Sequence, residues 1–348
     1  MRTALLAIAV FGLALGGNST GWAADPIKWR LGTPYISTRS PMGQQLRQIV
    51  EEVNDKAGGR LKLELVDLVA AGFRPADALR AAKQGVSEII HFNREFLNRD
   101  EPLIAALPPH GALLSPADNL AIKDQADKFL ADILARKWNV VYVAPSWQEP
   151  VEMSFFSRQP VTSLDSLRKM KVRHWSSLGI NAFKKLGVSA QAIPTPDLYT
   201  ALKTGVVDGT MMVKEFGLAL SFYEPAPYYF DIHPGTLVAL FGFMSPNDKW
   251  SKLPPDLRDL IQDVMLRYSG QNFAGWFYGN NDRMYDAKLK AAGAKHTAGL
   301  PEADRKAFQN AFLAAWGEEA KAAGPEGERI YNSLVATLRR AAEQRPAK

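Results

Sequence analysis

Arg173 is the side chain whose chemistry is easiest to state from this sequence. It lies in the stretch KVRHWSSLG (171–179), where a predicted strand ends and a helix is about to begin. A guanidinium stays protonated, and its planar fork of donors matches both oxygens of a carboxylate. The edge of an open α/β sheet is also where such folds bind ligands. We therefore expect an anionic partner, either a carboxylate of the protein itself or one that belongs to a ligand.

Signatures of catalysis and cofactor binding are missing from the chain beyond residue 24. That part contains no G-x-S-x-G, no G-x-x-x-x-G-K-[ST], no G-x-G-x-x-G and no H-E-x-x-H. The five histidines lie apart, so a metal site would need several distant segments. Asp208 in VVDGT is the best isolated acid, but Asp-Gly there favours a turn. We expect no catalytic residue, no metal and no cofactor.

The N-terminal segment has the pattern of a secretory signal. Arg2 precedes an apolar run from Ala4 to Leu15, and small residues surround Ala23. The run is shorter than the roughly 20 residues of a membrane span. The prediction is a cleaved signal peptide over 1–23 and a periplasmic protein, with an uncleaved anchor as the alternative.

Composition limits the class of partner. The chain of 348 residues has no cysteine, which excludes disulfides and thiolate metal sites. Its net charge of +6 comes from interspersed residues, without the basic stripe of a nucleic-acid binder. The length after the signal is enough for two domains.

Strand-like and helix-like segments alternate at the start of the chain. IKWRLGT (27–33) precedes a helix from Ser40-Pro41 to a Gly pair, and LKLELV (61–66) follows as the next strand. The helix PADALRAAKQG and the strand SEIIHFN (87–93) continue the series, before a longer helix and strand end at 145. This alternation is typical of a parallel sheet flanked by helices.

The rest of the chain predicts a second unit and two crossings. The proline-containing stretch 146–161 marks the first crossing, and strand–helix alternation resumes over 171–212. The stretch 223–246 has prolines and then the apolar density of a buried strand, which indicates a crossing back. Helical spacing then continues with little interruption over 254–293.

The predicted fold class is α/β, with two lobes, each a mostly parallel sheet flanked by helices, and a long C-terminal helix spanning both. The predicted boundaries are 24–146 with about 234–270 for the first lobe, 147–233 with about 271–340 for the second, and 341–348 for a polar tail.

Several stretches resemble the DctP-type solute-binding proteins of TRAP (tripartite ATP-independent periplasmic) transporters. They are SLDSLRKMKVRHW, PDLYTALKTGVVDG, FYEPAPYYFD, SPMGQQLRQIVEEVNDKAGGRLKLELV and ALRAAKQGVSEI. The likeness covers nearly all of the chain after the signal, and D-L-Y-x-A-L-x-T-G-V-V-D-G is its most specific part. The resemblance implies a ligand cleft between two lobes that are joined by crossing strands and a long helix.

The resemblance also implies a set of ligand-binding residues. An arginine in the strand that matches MKVR grips the ligand carboxylate in this family, and Arg173 stands there. Sugar-acid receptors often have a second arginine where Met153 stands, an aromatic residue at Thr195 and an asparagine at Met212. Thr195 either contacts ligand or caps the helix that starts at Pro196. Met211 and Met212 belong either to the strand core or to a pocket for apolar ligands.

Further candidates follow from the same resemblance. His91, Phe92 and Asn93 end a strand where the family has polar cleft residues, often with an acid at the position of Asn93. Trp175 either stacks on a ligand ring or packs on the next helix. The expected apolar wall consists of Phe92, Met153, Met212 and Trp175.

The expected function is a monomeric receptor that binds a small organic acid with an apolar or aromatic body and delivers it to a TRAP permease. Two alternatives stay open at this point. One is a periplasmic hydrolase or lyase using cleft carboxylates, since any two of the 36 acidic residues can converge in a fold. The other is a ligand-sensing subunit for a receptor kinase.

Overall fold

The computed structural model describes residues 25–34, 41–109, 112–113, 116–146, 153–233, 241–277 and 280–344. The predicted signal peptide lies outside these residues. So do the central parts of the two predicted crossings, 147–152 and 234–240.

The strands of the described residues form two sheets. They are β1 (Ile27–Thr33), β2 (Leu61–Asp67), β3 (Ile89–Asn93), β4 (Val140–Ser146), β5 (Met153–Ser157), β6 (Lys171–His174), β7 (Ser189–Ala192), β8 (Gly209–Val213), β9 (Tyr228–His233), β10 (Phe241–Pro246) and β11 (Lys295–His296). The first sheet has the order β2-β1-β3-β10-β4, and the second has the order β11-β9-β5-β8-β6-β7. We call the units built around them the first and the second lobe.

Helices lie between the strands and after them. They are α1 (Pro41–Lys56), α2 (Ala78–Lys83), α3 (Pro116–Ile133), α4 (Leu164–Arg168), α5 (Ser177–Lys185), α6 (Thr195–Thr204), α7 (Lys214–Ala219), α8 (Asn247–Trp250), α9 (Pro255–Phe277), α10 (Asn280–Ala291), α11 (Glu302–Ala322) and α12 (Pro325–Glu343). Short 3-10 helices occupy Pro75–Asp77, Arg94–Phe96 and Pro102–Ala106, and one π-helical turn occupies Leu134–Trp138. Among the described residues, no helix is both long enough and apolar enough to cross a membrane.

Each sheet is parallel except for one strand. In the first sheet β10 runs antiparallel to both of its neighbours, and in the second β5 does. These are the first strands after each passage of the chain between the lobes. A chain that arrives from the other lobe enters the sheet at the edge where the remaining strands end, so it must run against them. The predicted two-lobed, mostly parallel architecture is confirmed, with mixed sheets as the consequence of the crossings.

Local signals placed the early elements correctly. Helix α1 starts at Pro41, whose fixed φ suits the first helical turn, and its leucine, isoleucine and valine side chains face β2. Gly58 and Gly59 follow with φ of 57° and 80°, a conformation that costs glycine little. The chain therefore reverses and returns as β2, parallel to β1.

The C-terminal helices tie the lobes together. Helix α9 packs on α1 and β4 of the first lobe, whereas α10 packs on α7 of the second. Helix α11 contacts α5 in the second lobe and the 3-10 helix Pro102–Ala106 in the first. The indole of Trp316 on α11 is buried and donates a hydrogen bond of 2.9 Å to the Ala106 carbonyl. The long helical region thus joins both lobes, although it consists of several helices.

Candidate functional site

Arg173 is buried near the end of β6, with 1% of its surface exposed. Its Nε donates to the carbonyl of Ile193 at 2.9 Å, and its Nη2 donates to Oγ1 of Thr195, also at 2.9 Å. Ile193 directly follows β7, and Thr195 is the first residue of α6. Two donors of the guanidinium are thus held by the protein, so the plane of the fork is set by the fold.

Thr195 has a role that neither sequence hypothesis anticipated. Helix α6 begins at Thr195 itself, and the preceding Pro194 occupies the cap position without a side-chain cap bond. The hydroxyl of Thr195 accepts the hydrogen bond from Arg173. The capping interpretation was therefore wrong, because this hydroxyl orients the arginine.

Pairing in the second sheet decides which side chains share the face of Arg173. Arg173 is opposite Thr210 on β8, and Met212 is opposite Ser154 on β5. Side chains alternate between faces along a strand, and paired residues point the same way. Thr210, Met212 and Ser154 therefore lie on the arginine face of the sheet.

The other two methionines lie on the opposite face. Met153 and Met211 are fully buried in one cluster with Phe155 and Phe183, against α5 and α11. Met212 instead packs with Phe156 and other residues of the cluster beneath α6 and α7. Of the three predicted pocket methionines, the structure brings only Met212 to the face of Arg173.

Trp175 connects the arginine strand to the first lobe. Its ring stacks on His174, with centroids 4.0 Å apart, and the guanidinium carbon of Arg173 lies 5.8 Å from the ring centroid. Its indole nitrogen donates a hydrogen bond of 2.7 Å to Oε2 of Glu95. The ring is thus partly buried and held by contacts from both lobes.

In the first lobe, the three predicted residues at the end of β3 have different environments. Asn93 is 3% exposed, and its Oδ1 accepts the backbone N–H of Glu95 at 3.0 Å, which caps the following 3-10 helix. Phe92 packs against Tyr142 and closely approaches Gly242. Asn93 therefore helps to hold Glu95, whereas Phe92 belongs to the lobe core.

His91 is an uncharged residue in this fold. Its ring lies between Phe241 and Phe243, and Nε2 is 3.3 Å from the hydroxyl of Ser146. Burial lowers the pKa of His91 to about 3. Because the ring is fully buried, protonation would place a charge in an apolar layer.

Sequence reasoning missed Glu95, Lys214 and Asp231. Lys214, 1% exposed, pairs with Asp231 at 2.9 Å, and Ser154 donates to the same carboxylate at 2.7 Å. A single acid inside the apolar strand YYFDIH was the available signal for Asp231. No sequence signal marks Glu95, since its role depends on a contact with the other lobe.

Other buried charges lie in the first lobe. Tyr142 donates to Asp127 at 3.1 Å, and Arg94 donates to the carbonyl of Pro108. Burial raises the pKa of the Asp127 carboxyl and lowers that of the Arg94 guanidinium. These groups are bonded within the first lobe.

Asp208 immediately precedes β8, and its carboxylate accepts the Lys171 backbone N–H at 2.9 Å. That end of the strand is remote from Trp175, which follows the last residue of the neighbouring β6. Within the described residues, no group of three or more histidine, aspartate or glutamate side chains has the geometry of a metal site.

Two sheets whose strands end at a shared boundary, with a buried arginine near it, define a two-lobed solute-binding protein. The chain belongs to the DctP family, the bacterial extracellular solute-binding proteins of family 7, whose profile matches residues 33–322. The resemblance found in the sequence is thereby confirmed, and the members of this family are receptors that bind solutes.

Individual relatives agree with this assignment. A solute-binding protein of Chromohalobacter salexigens is 27% identical over 66% of this chain and 67% of its own length. DctP7 of Bordetella pertussis, an extracytoplasmic solute receptor binding pyroglutamic acid, superposes with a TM-score of 0.73 at 19% identity, over 90% of this chain and 99% of that one. A TRAP periplasmic solute-binding protein of Desulfovibrio salexigens with bound orotic acid has a TM-score of 0.75 at 21% identity, with coverages of 90% and 99%.

Proposed function

We propose that this receptor captures a small monocarboxylate on Arg173, in the cleft between the lobes, and delivers it to a TRAP permease. The carrying observation is the buried guanidinium whose orientation is set by Ile193 and Thr195. A fork that is already ordered loses little further entropy when a carboxylate binds, so its charge-assisted hydrogen bonds contribute more fully to affinity.

The ligand body is proposed to be apolar or aromatic. Met212 lies on the arginine face at the position where the family often has an asparagine, and a thioether adapts to apolar groups without offering a hydrogen bond. Trp175 adds an aromatic surface beside the guanidinium. Of the residues expected in this wall, we leave out Met153, which packs on the opposite face with Met211, and Phe92, which belongs to the core of the first lobe.

The printed ligands of two fold neighbours are consistent with this class. Pyroglutamic acid and orotic acid are both small rings with one carboxyl group. The cleft is proposed to form between two lobes. The first comprises residues 24–146 and about 234–270, and the second comprises residues 147–233 and about 271–340. We also propose that residues 1–23 are a signal peptide that directs export to the periplasm and is cleaved after residue 23.

A thermal-shift experiment with matched neutral analogues tests it. Orotate is compared with uracil, and pyroglutamate with 2-pyrrolidone, since each pair differs by the carboxyl group. We expect the acids to raise Tm, because a ligand at a hundred times its Kd stabilises the native state by about 2.7 kcal/mol. Malonate serves as a small dicarboxylate for comparison.

The outcome decides between the classes of ligand. Equal stabilisation by uracil and orotate would show that the carboxylate is not recognised, and the assignment of Arg173 would fail.

Proton NMR of the acid during overnight incubation is the control for catalysis. An unchanged spectrum supports a receptor, whereas product signals would support the hydrolase or lyase.

A further inference from the structure

One hydrogen bond crosses between the lobes immediately beside Arg173. Glu95 lies two residues after the end of β3 in the first lobe, and Trp175 directly follows the last residue of β6 in the second. The indole N–H donates to Oε2 of Glu95 at 2.7 Å. This is a charge-assisted bond if the carboxyl is ionised, and such bonds are about twice as strong as neutral ones.

The first lobe holds Glu95 in a defined position. Its backbone N–H donates to Oδ1 of Asn93 at 3.0 Å, so the 3-10 helix Arg94–Phe96 is capped. Asn93 is itself buried at the end of a central strand. The Glu95 carboxylate is therefore fixed relative to the first sheet, so its position depends on the placement of the first lobe.

The second lobe presents Trp175 to both Glu95 and Arg173. The ring stacks on His174 at 4.0 Å with an interplanar angle of 23°. The guanidinium carbon of Arg173 is 5.8 Å from the ring centroid, within the range of a cation–π contact. Donation from the indole N–H to a carboxylate raises the electron density of the ring, which strengthens its attraction for the guanidinium.

We propose that Glu95 is a positioning residue for the anion site. Through its bond to Trp175 it orients the indole beside Arg173 and makes this orientation depend on the placement of the first lobe. Lobe closure and carboxylate binding then favour each other, because each needs the same arrangement of Trp175. The affinity part of this inference rests on the proposed function, whereas the lobe-coupling part does not.

A double-mutant cycle with Trp175→Phe and Glu95→Ala tests the coupling. Trp175→Phe keeps an aromatic ring and removes the N–H donor, whereas Glu95→Ala removes the acceptor. Glu95→Gln keeps an amide oxygen at the same length and serves as the conservative rescue. Circular dichroism and Tm of each variant establish that it is folded.

The first readout needs no ligand. The chain has no cysteine, so two introduced cysteines can carry spin labels without a background. Val69 in the first lobe and Val206 in the second are 46% and 51% exposed, and Val69→Cys with Val206→Cys provides the pair. We expect Trp175→Phe and Glu95→Ala to broaden the inter-label distance distribution to the same extent, with the double variant no broader than either.

The second readout is the affinity for orotate by calorimetry. We expect each single variant to weaken binding about tenfold, the low end for hydrogen bonds to charged groups, with the double variant equally weak and Glu95→Gln intermediate. Additive effects of the two substitutions, or distances and affinities unchanged by both, would overturn the inference. If wild-type protein binds no acid, the proposed function fails, and the label distances still decide whether the contact couples the lobes.

Discussion

The ends of β3 and β6 lie on the two sides of the contact between Glu95 and Trp175 and differ in electrostatic character. At the end of β3, His91 is kept neutral by burial and Asn93 supplies only an amide. At the end of β6, Arg173 places a permanent charge on the sheet. The comparison teaches that the second lobe places a buried positive charge at a strand end, whereas the last residues of β3 are uncharged and the first lobe contacts the second through Glu95.

The uncharged state of His91 at the end of β3 is tested by the pH dependence of the unfolding free energy. His91 takes up a proton near its ordinary pKa in the unfolded chain but only near pH 3 in the fold. Its contribution is therefore present above about pH 6.5 and is lost as pH falls towards 3. Relative to His91→Gln, wild type should lose about 3 kcal/mol of unfolding free energy between pH 6.5 and pH 4. Urea denaturation at several pH values measures this, and parallel pH profiles would show that His91 is not held neutral.

The role of the planar guanidinium at the β6 end is tested by Arg173→Lys. Lysine keeps the charge but has no planar fork, so binding of orotate should weaken by about 2 kcal/mol. Arg168→Lys is the matched control, because Arg168 lies in the same lobe and bonds to Asp165 and Leu186. Calorimetry of both variants gives the difference. Equal affinity for Arg173→Lys and wild type would place the anion elsewhere.

The hydrogen bond that orients the Arg173 guanidinium is tested by Thr195→Val. Valine has the shape of threonine without the hydroxyl that accepts from Arg173, so orotate affinity should fall by about 1 kcal/mol. Thr204→Val, at the other end of α6, removes a hydroxyl that bonds only within the helix and should leave the affinity unchanged. A loss of equal size in both variants would point to a general effect on the helix.

The smallest expected effect concerns the carboxylates around the interlobe contact. Burial raises the pKa of Glu319, the bond from Ser177 opposes this, and the charge of Glu95 reinforces it. A carboxyl group whose pKa is raised in the fold stabilises the fold at low pH. This contribution to stability is lost as the pH rises through the folded pKa. Glu319→Gln should therefore stabilise the protein at pH 7 by about 0.5 kcal/mol, and by less at pH 4.

The neighbouring Glu318 provides the control for that substitution. Its pKa is lowered by hydrogen bonds from Lys185 and Asn181, so Glu318→Gln should have the opposite sign. Urea denaturation of both variants at the two pH values measures the contrast. Destabilisation by both would mean that Glu319 is not disfavoured by its surroundings.

Much of the fold was predictable because local signals and tertiary packing agree. Pro41 and the Gly pair delimited α1, and hydrophobic spacing located α3, α6 and α9. The strand β9 was harder to find, since the prolines on both sides of it gave the stretch the appearance of a connection. The extended helix expected over 254–293 consists of α9 and α10, with 278–279 outside the described residues.

The site was less predictable than the fold. The residue types at β6 and the resemblance to a known family selected Arg173, but no residue pattern linked it to Thr195 or excluded Met153 and Met211. Those assignments depend on which strand pairs with which, and a register differing by one residue would exchange the two sheet faces.

By itself, the sequence determined most of the strands and helices, because these follow from short-range periodicity, and the resemblance of its motifs to a known family supported the two lobes and selected Arg173. Only the tertiary structure decided that Met212 shares the arginine face, that Thr195 orients the guanidinium and that Glu95 meets Trp175. These are contacts between segments distant in sequence, and their geometry is fixed by sheet register and lobe placement rather than by any local pattern.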